Sequence, residues 1–178
     1  DLTLARGEIY GLVGRNGAGK TTLIRMAAGQ AIPTEGELSL FGETTPAGLS
    51  KARARTGAMV EIPSFYPYLS ARENLEFYRL QRGIPGRGVV DEAPAYVGLS
   101  GVGAKTFKSF SLGMKQRLGL APALMYHPDF LLLAAPITGL DPDGTVAFRP
   151  ILRTLTQQRG PTLLISSHLP SDLSTVDT

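Results

Sequence analysis

The chain has 178 residues, of which 43% are hydrophobic and 19% charged, enough for one buried core and too few for two ordinary domains. With no cysteine and only two histidines it can form neither disulfides nor a thiolate or histidine-rich zinc site, which fits a cytosolic protein. A net charge of +3 is spread over positions including Lys51, Arg53, Arg55, Lys105, Lys108, Lys115 and Arg117; it reads as solvated surface, not a nucleic-acid track, and no apolar run approaches a bilayer span.

In chain order, Leu2 and Leu4 alternate as though the chain entered in mid-strand, so it is expected to begin inside a domain. An apolar strand at 9–13 follows, then GRNGAGKTT at 14–22 and a helix from about Lys20 to Gly29, whose buried side is Leu23, Ile24, Met26 and Ala27. Residues 32–36 form a turn and 37–41 alternate as a half-buried strand would. A basic helix at 49–55 leads to a strand at 57–60 and a proline-bearing loop at 61–68. Ser70 and Glu73 have capping-box spacing before a helix at 71–81, and a short helix at 91–97 closes on Gly98. Ser111 is placed to cap a helix at 112–126. Residues 130–134 are wholly apolar, as a strand buried on both faces requires. A helix at 144–158, a strand at 163–166 and a short helix at 170–176 complete the alternation, which predicts an α/β domain with a largely parallel sheet flanked by helices.

The chemistry starts at residues 14–22. A triphosphate carries several negative charges, and the N–H groups of Gly17, Ala18, Gly19 and Lys20 can converge on it only where side chains do not intervene. The helix beginning at Lys20 adds its positive dipole end. Lys20 supplies an ammonium for the β- and γ-phosphates, and the Thr21 hydroxyl is short enough to reach Mg²⁺. Gly14, Asn16 and Thr22 complete the expected nucleotide-binding set. Ser111 and Gly113, at another helix start, combine a hydroxyl, bare backbone and a dipole in a second anion site. His168 follows an apolar strand, where such sheets bind ligands, although a buried structural histidine fits the same pattern. His127, followed by Pro128, reads as a helix C-terminal residue. Glu61 is either a solvated loop acid or a contact for Mg²⁺, water or a membrane partner.

Together these stretches resemble, in chain order, the nucleotide-binding domain of ATP-binding cassette (ABC) proteins: the phosphate loop, the signature at Ser111, Leu112, Gly113, Met114 and Lys115, the Walker B strand and D-loop at 131–142 with Asp141, and Ser167-His168 as the switch histidine. Residues 57–75 are similar to the Q-loop region, with Glu61 where most members have glutamine, as in the bacitracin- and lantibiotic-resistance branch. The resemblance implies a P-loop NTPase fold of ABC type with a helical subdomain at about 62–126 inside a single domain, truncated at both ends. It implies an exporter-type subunit that binds ATP and Mg²⁺, pairs with a second cassette across a composite site, and drives a separate permease at the inner face of the cell membrane, with no nucleic-acid partner. It also implies γ-phosphate contact for His168 and catalytic and metal roles for Glu61, with Thr21 on the metal.

The sequence departs from the family where Asp and Glu should end the Walker B strand: Ala134 and Ala135 stand there. Neither methyl can hold a cation or accept a proton, so hydrolysis is expected to be very slow. A non-hydrolysing regulatory or degenerate cassette is therefore a second reading, and a soluble ABC protein acting on ribosomes or DNA a third. Pro122 and Pro150 fall inside expected helices, where each removes an N–H and costs about 3 kcal/mol unless a kink is accommodated.

Overall fold

Four parallel strands form the centre of the computed structural model, which describes residues 1–61, 64–140, 142–157 and 160–167. They are β1 (Ile9–Val13), β2 (Thr56–Met59), β3 (Phe130–Ala134) and β4 (Thr162–Ser167), hydrogen-bonded in the order β1-β4-β3-β2. All five residues of β3 and all six of β4 are buried, which is why these segments are apolar on both faces and end in small residues.

The two faces carry different helices. On one, α1 (Lys20–Ala28) and α2 (Pro46–Arg53) cover Phe130, Leu132, Ala134 and Leu164. On the other, α3 (Ala71–Arg82), α4 (Gly88–Tyr96), α5 (Leu112–Leu124) and α6 (Pro142–Gln157) surround a larger core that includes Leu118, Leu131, Leu133, Phe148 and Ile165. Alternate strand residues thus serve opposite layers. The backbone of α5 comes so close to β2 that a Cβ on Gly57 would lie 2.3 Å from the Ala123 carbonyl oxygen. The C-terminal side of α5 is pinned by the Tyr126 hydroxyl, which donates to the Thr56 carbonyl at 2.7 Å; burial pushes that phenol's pKa up.

Several expected elements differ. Residues 37–41 form no strand: among the described residues their backbone makes only an isolated antiparallel bridge, Leu40 to Glu43, while Leu38 and Leu40 pack against the α1-side core. Alternation there serves packing, and a strand also needs a neighbour for its ladder. Residues 1–6 likewise join none of the four strands, and Leu2 is exposed. Helix α2 starts early because Thr45 accepts from the Gly48 N–H and Pro46 occupies the first turn, where its missing N–H costs nothing. Helix α4 begins at Gly88 and runs through Pro94, while α6 begins at Pro142. A 3₁₀ turn, Phe107–Ser109, lies in a stretch with no helical period. Pro122 and Pro150 sit within α5 and α6 without ending them. Finally, Arg53 is not simply solvated: its guanidinium donates to the Ala27 and Met26 carbonyls at 3.1 Å each, closing the C-terminus of α1.

Candidate functional site

The strand register brings four chain segments to one edge of the sheet. Leu12 and Ala134 both pair with Ser166, so Leu12, Ser166 and Ala134 form one row, and Val13 with Ser167 begins the next. Because Met59 pairs with Leu133, Val60 and Glu61 emerge from β2 beside the end of β3. This is the carboxyl edge, where open parallel sheets bind ligands.

The turn from β1 into α1 is built for backbone donation. Gly17 and Gly19 have φ of +84° and +87°, conformations that side chains rarely adopt. Gly19 caps α1 without any side-chain hydrogen bond, and the first turn carries no acidic residue. The first N–H groups of the helix are therefore left to an anion. Lys20 folds back over this loop, donating to the Gly14 carbonyl at 2.5 Å and the Arg15 carbonyl at 2.9 Å. Its ammonium is thereby held above the glycines and can exchange carbonyls for phosphate oxygens. Asn16, Gly17, Ala18, Gly19, Thr21 and Thr22 are exposed on the same turn.

Across the edge the chemistry is sparse. The Ala134 side chain is buried among Ile24, Val60, Leu132 and Leu164. Ala135 takes a positive φ of 48°, a strained conformation for alanine, and its N–H donates to both the Ser166 carbonyl at 3.0 Å and the Ser166 hydroxyl at 3.1 Å. Glu61 is exposed and forms an ion pair with Arg25 on α1. Thus one acid lies near the phosphate loop, and an arginine of that loop's own helix engages it.

The expected second anion site, Ser111 and Gly113, starts α5 on the other face of the sheet. The Ser111 hydroxyl accepts from the Met114 N–H at 3.2 Å, so this N-terminus, unlike that of α1, is capped from within. Leu112 is exposed. Gly113 lies close against the segment after β3: a Cβ there would just touch Gly144 Cα at 3.4 Å and Leu140 at 3.6 Å, leaving no room for a larger side chain in that direction. Three residues on, the Gln116 amide donates to the Thr138 carbonyl at 2.8 Å, tying α5 to the segment after β3. Lys115 instead lies over the Phe107 ring, its nitrogen 5.5 Å from the centroid. Helices α1 and α5 occupy opposite faces of the sheet. Asp141 and His168 lie outside the described residues, as does the expected helix at 170–176. His127 is remote from this edge: it follows α5 at φ 50° and meets Tyr96 edge to face.

Sequence reasoning missed Arg25 and Ser166. Arg25 is one of two basic residues on α1, and its partner is 36 positions away. Ser166 carried a weak signal, a serine directly after the apolar stretch Leu163, Leu164, Ile165.

Comparisons with known proteins agree with this geometry. The family described as ABC transporter matches residues 1–138. The bacitracin transport ATP-binding protein BcrA of Bacillus licheniformis is 43% identical over 97% of this chain and 56% of its own length, and that of Enterococcus faecalis is 42% identical over 99% and 57%. The lantibiotic transport ATP-binding protein SrtF of Streptococcus pyogenes is 34% identical over 97% and 73%. The chain thus spans little more than half the length of the first two relatives. Among solved structures, cbiO1 from Clostridium perfringens, part of the transporter complex cbiONQ, superposes with a TM-score of 0.80 at 27% identity, covering 94% of this chain and 70% of that one. The dimeric post-hydrolysis cassette MJ0796 bound to ADP and Pi has the same fold, with a TM-score of 0.81 at 23% identity, covering 96% of this chain and 79% of that one.

Proposed function

The chain belongs to the ABC transporter family, and we propose from that premise that it is the ATP-binding part of an exporter-type transporter, of the kind named for bacitracin and lantibiotic transport. The observation that carries the reading is the start of α1, where Gly19 caps the helix with no side chain, the first turn has no acid, and Lys20 overhangs the loop. ATP is the ligand such a turn recognises. Asn16, Gly17, Ala18, Gly19, Lys20, Thr21 and Thr22 would hold its phosphates, with Gly14 giving the loop room.

Ser111 and Gly113 start a helix on the opposite face of the sheet from α1, so we assign them to a second nucleotide site completed by another cassette. ATP then acts as the glue of a pair, homomeric or heteromeric, whose closing works a membrane permease. Helices α3, α4 and α5, between β2 and β3, form the helical subdomain, and Glu61 lies at its junction with the sheet. Among the described residues no helix is long and apolar enough to cross a membrane, which suits a subunit docked on a permease at the inner face. Asp141 and His168 keep their D-loop and γ-phosphate roles as parts of this proposal.

Hydrolysis is the weak step. With Ala134 and Ala135 at the end of β3, no carboxylate there can orient the attacking water or take its proton. The chain is therefore read as binding ATP well and turning it over very slowly. Mg²⁺ would arrive with the nucleotide and screen its phosphate charge; of the two side chains expected to meet it, Thr21 is exposed at the loop and Glu61 is paired with Arg25.

Calorimetric titration of ATP into the intact protein and its Lys20→Ala variant tests the binding claim. Loss of a charge-assisted contact of about 2 kcal/mol predicts roughly thirtyfold weaker binding. Equal affinities would refute the assignment of the loop.

A further inference from the structure

The residues present at the candidate site do not make a protein-held magnesium site. Mg²⁺ dehydrates reluctantly and is normally gripped through one or two carboxylates besides phosphate. Among the described residues no cluster of three acidic, histidine or cysteine side chains could hold a metal. At the end of β3 Ala134 offers a methyl, buried in the same apolar cluster as Ile24 and Val60. The remaining acid, Glu61, is ion-paired with Arg25, so its charge is already answered by a cation of the helix that begins at the phosphate loop. What the loop itself offers a phosphate is cationic or a backbone donor: Lys20 folded over it and the N–H groups at the start of α1, where no side chain caps the helix.

We infer that this site recognises the triphosphate itself and does not require a divalent cation: metal-free ATP is as good a ligand as its magnesium complex. The inference rests on the nucleotide reading above and concerns what replaces the missing acids. In a site with a carboxylate at position 134, the metal does two jobs, reducing the phosphate charge and bridging it to the protein. Among the described residues the end of β3 has no carboxylate to bridge to, and Glu61, the acid that follows β2, has its charge answered by Arg25. The cost of losing Mg²⁺ is then offset by the greater charge that ATP presents to Lys20 and the helix dipole. ATP-driven pairing should likewise proceed without metal.

The test is a titration of ATP into the intact protein in excess Mg²⁺ and again in excess EDTA, for the parent, Ala134→Asp and Ala134→Asn. For the parent the two dissociation constants should agree within about threefold, whereas Ala134→Asp should bind at least about tenfold more weakly in EDTA than in Mg²⁺, because its new charge repels the bare triphosphate. Ala134→Asn adds the same bulk without charge and should behave as the parent does. A parent whose affinity falls tenfold in EDTA overturns the inference, even if neither variant folds, and leaves the nucleotide reading standing. Absence of binding in both media overturns the nucleotide reading and this inference with it. An equal metal dependence in Ala134→Asp and Ala134→Asn would show that bulk and not charge is felt at that position, which also overturns the inference.

Discussion

Two strand-to-loop turns meet at the same sheet edge and differ in kind. The turn from β1 into α1 keeps every element that phosphate recognition needs: two glycines at positive φ, an uncapped helix start and a poised lysine. The turn after β3 is as well defined, with Ala135 at positive φ and its N–H bonded twice to Ser166, but Ala134 and Ala135 carry no carboxylate. In the proposed reading this is the position of the side chains that would support cleavage. Backbone geometry and side-chain chemistry are therefore separable at this edge: the ability to grip phosphate does not entail the ability to hydrolyse it.

The largest expected effect erases that difference. Ala134→Asp with Ala135→Glu in the intact protein should raise steady-state phosphate release by about 10² to 10⁴, the usual worth of positioned general-base assistance. Lys20→Ala in that restored background should abolish the gain. Substantial turnover by the unrestored protein, lost on Lys20→Ala, would show that another residue supplies the missing chemistry.

A smaller effect should appear at the start of α5, where the proposal puts the second nucleotide site. Gly113→Val places methyl groups where a single Cβ already comes within 3.4 Å of Gly144, so the start of α5 must shift from the segment after β3. Overpacking of this kind costs about 1 to 3 kcal/mol. ATP-dependent pairing, followed by light scattering, should weaken about tenfold or more, while ATP affinity measured on dilute protein stays near that of the parent. Equal loss of both would mean that α5 and the phosphate loop are not the separate units their placement on opposite faces implies.

Much of this arrangement could be read from the residues. The β1–α1 turn announces itself because glycine spacing, an apolar strand and a helical period coincide in nine residues, and β3 because nothing polar interrupts it. Both are local signals. The end of β3 was legible as a departure, since alanines stand where acids were expected. What could not be read depends on distant partners: residues 37–41 alternate like a strand, yet no described strand pairs with them. The Arg25–Glu61 pair joins positions brought together only by the sheet order, and Arg53 finds the C-terminus of α1 in the same way. Helix α4, expected at 91–97, starts at Gly88, three residues earlier, because propensity alone does not set the ends of a helix that packs against α3 and α5.

The end of β3 itself can be probed with a milder change. Ser166→Ala removes one of the two acceptors of the Ala135 N–H and leaves the carbonyl, so the loss should be about 1 kcal/mol. Chemical denaturation measures it, and a loss several times larger would mean that the hydroxyl holds more of this turn than one shared bond.

The smallest effect tests the other half of the contrast, the cap that α1 lacks and α3 has. At the start of α3 the Ser70 hydroxyl accepts from the Glu73 N–H at 3.1 Å, while the Glu73 carboxylate accepts from the Ser70 N–H and hydroxyl, both at 2.7 Å. No ligand is needed there, so the chain closes its own helix. Ser70→Ala should cost about 1 kcal/mol, within the range for a lost N-cap. The hydroxyl and N–H of Ser70 hold the Glu73 carboxyl below its ordinary value of 4.5. The folded-state pKa is thus depressed, so this contribution is fully present above the unfolded value and is lost as pH falls through the folded one. The gap between parent and Ser70→Ala in denaturation midpoint should accordingly be widest near neutrality and shrink below the carboxylate range. An unchanged gap in acid would assign the whole effect to the serine hydroxyl as acceptor and none to the bond it donates to the Glu73 carboxylate. The same substitution should leave ATP affinity unmoved, since α3 is finished without the nucleotide whereas α1 awaits it.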